Sequence, residues 1–143
     1  MSQTETTLVL QKLTTLREHV GRVQRRRPAT AEVLRRDVDL QDALAMSLLV
    51  AIQEAIDIAF HVAADEGWGV PSSYAESFEI LARHGVIDPA LAPELIAASG
   101  LRNRLAHGYA SVDVERVWAE IPAGMAALER YATAIARLLP GSA

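Results

Sequence analysis

The chain has 143 residues, of which half are hydrophobic, and 14 basic and 18 acidic residues give it a formal net charge of −4. This length and composition predict one folded domain over residues 1–143 with a substantial hydrophobic core, and they exclude a disordered tail. The acidic balance disfavours a broadly basic nucleic-acid-binding coat, although a local basic cleft stays compatible with it. Because the chain has no cysteine, disulfides, thiolate nucleophiles and thiolate zinc sites are excluded.

The apolar spacing predicts helices throughout the chain, with no alternating strand pattern. In chain order, the predicted helices run from about 8 to 27, 30 to 36, 40 to 66, 73 to 84, 89 to 105 and 113 to 138. Asp39 and Asp88 are expected to cap the third and fifth helices, and Pro122 is expected to kink or divide the last one. The predicted fold class is all-α, an up-and-down bundle of four to five main helices.

The apolar run from Ala43 to Ala64 belongs to the long third helix. It is interrupted by Gln53, Glu54, Asp57 and His61, so we expect a buried helix and not a membrane span. The polar N-terminus shows no signal peptide. We therefore expect a cytoplasmic protein with no membrane partner.

The segment from Arg102 to Tyr109 carries the spacing R-x4-H-x-Y at the predicted end of the fifth helix. Arginine can neutralise a phosphate with a planar fork of donors, and histidine can move protons near neutral pH. Arg102, Asn103, His107 and Tyr109 are thus the parts of a small phosphodiester-cleaving site that needs no cofactor. The alternative is a helix end at which Arg102 and His107 only cap carbonyls.

A second polar group lies on the long helix, where Gln53, Asp57 and His61 are spaced four residues apart and share one face. This stripe either faces solvent or faces the segment from Arg102 to Tyr109, in which case Asp57 would orient Arg102 or His107. Asp57 and His61 would be only half of a metal site, and because no third ligand is evident we expect no metal.

One chain supplies an incomplete site. Asn103 and His107 share a helical face, whereas Arg102 is five positions from His107 and is offset around the axis. A symmetric dimer would bring two Arg/His sets together.

Because the protein is acidic overall, the positive electrostatic potential of a substrate cleft has to come from nearby arginines. Arg104 and the cluster from Arg22 to Arg27 are candidates for it. The N-terminal arginines form either a solvated helix face or one wall of a phosphate-binding groove.

Several segments together resemble a known family. Besides Arg102 to Tyr109, the matching segments are Gln53 to His61, Gly69-Val70-Pro71 leading into Tyr74 to Leu81, Gly85-Val86-Ile87, and Val112-Asp113. They resemble the HepT-like family of the HEPN superfamily, the toxin half of HepT/MntA toxin–antitoxin modules. The resemblance covers roughly Leu40 to Trp118, and Gly108 and Pro122-Ala123-Gly124 depart from it.

The resemblance implies a HEPN-like bundle that dimerises, with paired motifs lining a cleft at the interface. It implies a metal-independent endoribonuclease that acts on cellular RNA, such as tRNA or mRNA. Arg102 and His107 would be the catalytic pair, with Asn103 as the polar supporter. Gln53, Asp57, His61 and Arg104 are candidate supporting residues. The partner would be an MntA-like nucleotidyltransferase antitoxin that transfers AMP from ATP to Tyr109.

Two other functions stay open at this point. In the first, the same dimer is a non-catalytic module that binds a nucleotide or its nucleotidyltransferase partner, and the Arg/His set only holds phosphate. In the second, the bundle is purely structural, and Arg102 and His107 cap a helix end.

Overall fold

Helices make up the regular secondary structure of residues 2–107 and 112–141, the part of the chain that the computed structural model describes. In chain order they are α1 (Gln3–Arg26), α2 (Ala31–Arg36), α3 (Val38–Asp65), α4 (Tyr74–Arg83), α5 (Leu91–Ala106) and α6 (Val114–Ala136). Five of them are long and α2 has six residues. The predicted all-α bundle is confirmed.

Helix α3 is the centre of the bundle and contacts each of the other five helices. Small residues such as Ala51, Ala55 and Ala59 are fully buried on it. The buried Tyr131 of α6 donates its hydroxyl hydrogen to the carbonyl oxygen of Ala55 at 2.8 Å, and burial raises the pKa of this phenol. By length and composition alone α3 could cross a membrane, but half of its most apolar 18-residue stretch is buried inside the fold.

The helix caps test the local sequence predictions. Ser73 caps α4, because its hydroxyl oxygen accepts from the Glu76 amide at 3.0 Å. The Asp39 prediction is wrong. Asp37 caps α3, with its carboxylate accepting from the Leu40 amide at 3.0 Å, since it is the one residue between α2 and α3 and has an extended backbone.

The fifth helix begins later than predicted. Asp88 accepts from the amide of Ala90 at 2.8 Å, and this contact closes a turn that precedes the first helical residue, Leu91. Asp88 therefore organises the turn into α5 and does not cap the helix itself.

Pro122 does not divide α6, which runs continuously from Val114 to Ala136, so the expected division is wrong. A proline has no amide hydrogen, and the carbonyl four residues earlier, that of Trp118, loses its helical donor. The Nε of Arg27 donates to this same carbonyl oxygen at 3.0 Å. The continuous helix is thus supported by a side chain from the end of α1.

The same arginine makes one further contact with Trp118, and the residue after it makes another. Its guanidinium carbon lies 4.0 Å from the centroid of the Trp118 ring, and the Trp118 indole donates to the Pro28 carbonyl oxygen at 2.8 Å. Arg27 therefore ties the chain after α1 to α6, which sets it apart from the rest of the predicted N-terminal arginine cluster.

We expect Arg27→Ala to lower the free energy of unfolding by about 1–3 kcal/mol, because the Trp118 carbonyl loses its donor and the indole loses its stacked cation. Pro122→Ala supplies an amide hydrogen to that carbonyl, so Arg27→Ala should cost less in the Pro122→Ala background. Urea denaturation of the wild type, both single variants and the double variant measures this coupling. Additive effects of the two substitutions would contradict it.

Candidate active site

Arg102 lies one turn before the end of α5 and is directed at α3. Its Nε donates to the Oε1 of Gln53 at 3.1 Å, and the Nε2 of Gln53 donates to the Oδ1 of Asp57 at 2.8 Å. The arginine can only donate and the carboxylate can only accept, so the orientation of the Gln53 amide between them is fixed. Of the two alternatives left open for this stripe, these contacts agree with the one in which it faces the Arg102 segment, although Asp57 reaches Arg102 only through Gln53.

Lys12 extends this chain of contacts to α1. Its Nζ lies 3.5 Å from the Oδ2 of Asp57 and 3.8 Å from the Oε2 of Glu54. Burial raises the pKa of the Glu54 carboxyl above its ordinary value, the positive charge of Lys12 opposes that shift, and Asp57 adds to it. Lys12 therefore shares its one positive charge between the two carboxylates, and the contact chain runs Lys12–Asp57–Gln53–Arg102.

The Gln53 amide separates Arg102 from the carboxylate of Asp57. Within residues 2–107 and 112–141, Arg102 makes no salt bridge, and the group that holds it is a neutral amide oxygen. Because Gln53 already binds the Nε, the two terminal nitrogens of Arg102 are the ones left to bind an anion. One of them, Nη1, makes a long contact of 3.4 Å with the Oδ1 of Asn103.

Arg104 is held in the opposite way. Its guanidinium is paired with the carboxylate of Glu120 on α6, and the Nε of Arg116 binds the second oxygen of the same carboxylate at 2.8 Å. Arg104 thus anchors the end of α5 to α6, and it shares the single negative charge of Glu120 with Arg116. That Arg104 adds to a local positive field at the site stays a prediction.

His107 is exposed and terminates α5, with its backbone amide donating to the Leu105 carbonyl oxygen. No contact joins it to Arg102 in the part of the chain that the structure describes. Tyr109, together with residues 108, 110 and 111, lies outside the described residues. One chain therefore displays the arginine and the histidine at separate places along α5.

His61 lies one turn beyond Asp57 and does not join the Arg102 contacts. It lines a surface groove with Lys12, Phe60, Val70 and Pro71, and its Nε2 is buried without a hydrogen-bond partner among the described residues. Over those same residues, no three histidine, aspartate or glutamate side chains are grouped so that they could hold a metal ion.

The sequence pattern assigned no role to two residues that the structure links to Arg102. Lys12 is the one lysine of the chain, but its link to Asp57 depends on how α1 and α3 pack, which the sequence does not state. Tyr74 begins α4, and the Arg102 guanidinium carbon lies 5.7 Å from the centroid of its ring. The only sequence signal for Tyr74 was its place in a segment of the family resemblance.

The fold and the contacts define an all-α bundle with a candidate anion-binding site on α3 and α5, built on a charged arginine beside an amide and an exposed histidine. A family model described as Ribonuclease HepT-like matches residues 16–135, and the chain belongs to this family.

Individual relatives support the same assignment. The chain is 28% identical over 110 residues to an mRNA nuclease HepT of Shewanella oneidensis, a match that covers 77% of this chain and 82% of that protein. It is 35% identical over 74 residues to a tRNA nuclease HepT of Aphanizomenon flos-aquae, covering 52% and 50% of the two chains. In structure it is similar to a tri-AMPylated HEPN toxin of Shewanella oneidensis in complex with an MNT antitoxin, with a TM-score of 0.82, 25% identity and coverage of 96% and 99%.

Gln53→Leu removes the amide between Arg102 and Asp57 and leaves a donor and an acceptor without their partner. We expect the free energy of unfolding to fall by about 1–3 kcal/mol. Gln11→Leu, at an exposed position of α1, is the matched control and should stay within about 0.5 kcal/mol of the wild type. Equal free energies of unfolding for the two variants in urea denaturation would show that the Gln53 contacts do not stabilise the fold.

Proposed function

We propose that this chain is the toxin of a HepT/MntA-type toxin–antitoxin pair and that it cleaves RNA as a metal-independent endoribonuclease. Membership of the HepT-like family and relatives described as mRNA and tRNA nucleases support the reaction class. The single observation that carries the site assignment is the contact of Arg102 with Gln53, because it fixes a guanidinium in place while leaving its charge uncompensated. An RNA phosphate is a complementary ligand for such a group.

In the proposed reaction the ribose 2′-oxygen attacks the adjacent phosphorus. The bond from phosphorus to the 5′-oxygen breaks, and the products are a 2′,3′-cyclic phosphate and a 5′-hydroxyl. A histidine accepts the proton of the 2′-hydroxyl, and a histidine donates a proton to the leaving 5′-oxygen. Arg102 stabilises the charge that builds on the phosphoryl oxygens, with Asn103 beside it. This route needs no metal ion and no cofactor.

A homodimer would complete this site. The described contacts direct Arg102 toward α3 while His107 stands exposed at the end of α5, so one chain presents a single histidine away from its arginine. Two copies related by a twofold axis would supply two histidines and two arginines to one cleft. The acid and base roles would then be divided between the two subunits.

Control of the toxin would act at Tyr109, two residues beyond His107. The structurally similar Shewanella toxin is described as tri-AMPylated and in complex with its antitoxin, which supports an MntA-like nucleotidyltransferase as the partner here. An AMP group on the Tyr109 hydroxyl would add a negative phosphate and a nucleoside beside the histidine. It would repel and obstruct RNA by the same electrostatic rule that applies to phosphorylation.

The test is cleavage of a tRNA pool and an mRNA by purified protein in EDTA, with intact mass confirming that Tyr109 is unmodified. We expect wild-type protein to produce 2′,3′-cyclic phosphate ends and His107→Ala to be slower by about 100-fold or more. His84→Ala is the matched control, because His84 stacks on Trp68 with the two rings 3.9 Å apart and is not part of the proposed site.

Two outcomes would count against this proposal. Cleavage that persists in folded His107→Ala, or that EDTA abolishes in the wild type, contradicts the mechanism. Absence of cleavage by unmodified wild-type protein would instead favour the non-catalytic HEPN module that binds a nucleotide or its partner.

A further inference from the structure

Aromatic side chains are few in this protein, and most of those described have a structural partner. Six of the seven lie in residues 2–107 and 112–141. Phe78 and Tyr131 are buried against each other, Trp118 stacks under Arg27, and Trp68 stacks on His84. Phe60 and Tyr74 are the remaining two; they contact each other and pack against the core, and both stay partly exposed.

These two rings lie directly beside the candidate catalytic arginine. Phe60 and Tyr74 meet edge to face, with ring centroids 6.4 Å apart, and the Tyr74 centroid is 5.7 Å from the Arg102 guanidinium carbon. Phe60 also lines the surface groove that contains Val70 and Pro71, and Val70 is 83% exposed. An aromatic and apolar surface therefore begins at Arg102 and continues across Phe60 into a groove.

An RNA strand bound through a phosphate at Arg102 places the neighbouring nucleobase within a few ångströms of that phosphate. Single-stranded RNA is commonly held by stacking of unpaired bases on aromatic side chains, whereas a paired base presents no free face. The partly exposed Tyr74 ring is a suitable surface for such a base, and Phe60 supports it edge-on.

We propose that Tyr74 and Phe60 form a base-stacking subsite that receives one unpaired nucleobase next to the phosphate bound by Arg102. This inference rests on the proposed ribonuclease function and deepens it, because it makes single-stranded RNA the substrate class. Tyr74 acts in this account as a binding residue for the base, and its contact with the arginine is secondary. The distance of 5.7 Å is near the outer limit of about 6 Å for a cation–π interaction, so the ring is not tightly covered by the guanidinium.

The test is a binding cycle with 2′-O-methyl RNA oligonucleotides, which lack the nucleophilic hydroxyl and so cannot be cleaved. A series carries one abasic nucleotide at each position in turn, which removes a base and keeps every phosphate. Wild-type protein should lose about 5-fold to 100-fold in affinity when the abasic nucleotide occupies the subsite, and little at most other positions. Tyr74→Leu should bind the intact oligonucleotide more weakly by a similar factor and show no further loss at that position.

Two variants serve as controls. Tyr74→Phe keeps the ring and should retain the position-dependent loss. Trp68→Leu alters a partly exposed aromatic residue that stacks on His84, the residue that follows α4. The ten residues of α4 span about 15 Å, and Tyr74 is at the opposite end of this helix. Trp68→Leu should behave like the wild type in the binding cycle.

The subsite is refuted if wild-type protein binds every abasic oligonucleotide equally well. It is also refuted if Tyr74→Leu weakens all of them alike while the position-dependent loss remains, since the ring would then only steer Arg102. A readout that does not depend on a folded variant is photocrosslinking of wild-type protein to RNA with 5-bromouridine at the sensitive position. An adduct on Tyr74 or Phe60 supports the subsite, and an adduct confined to other residues overturns it. Failure of RNA cleavage in EDTA would overturn the ribonuclease function separately.

Discussion

The contact on which this site depends is the Gln53 side-chain amide, which lies between a positive and a negative group. Its oxygen holds the Nε of Arg102 and its nitrogen holds Asp57, so each end has the partner that its chemistry requires. A carboxylate in the same place would hold the arginine as well but would cancel its charge. The neutral amide positions the guanidinium and leaves that charge for a phosphate.

The rest of the bundle supports the contact between Gln53 and Arg102, and it leaves His107 exposed at the end of α5. Gln53 is on α3, the helix around which the others pack, and Lys12 from α1 contacts both Asp57 and Glu54 behind it. Arg104 fastens the end of α5 to Glu120 of α6, close to the exposed His107. Arg102 is thus held before any substrate binds, and under the proposed function a second copy of the chain would complete the site.

Periodicity in the sequence predicted the helices and the polar stripe on the third helix, because these depend on local spacing along one helix. It left open whether the stripe faces solvent or Arg102, because that depends on how two helices pack. It did not predict the roles of Lys12 and Tyr74, because those depend on the packing register between helices, which side-chain shape decides. Asp37 caps α3 in place of Asp39, since both are suitable residues and only the backbone conformation separates them. The helix through Pro122 continues because Arg27, 91 residues before Trp118 in the chain, donates to the Trp118 carbonyl oxygen in place of the missing amide.

The most direct measurement of the central claim is the rate of RNA cleavage in EDTA by Gln53→Glu beside Gln53→Met. Both variants lose the amide, but only Gln53→Glu places a negative charge on Arg102. If the uncompensated charge is what binds the phosphate, Gln53→Glu should be slower than Gln53→Met by at least about 10-fold, and Gln11→Glu should match the wild type. A Gln53→Glu protein that is folded and cleaves RNA at the wild-type rate would contradict the account.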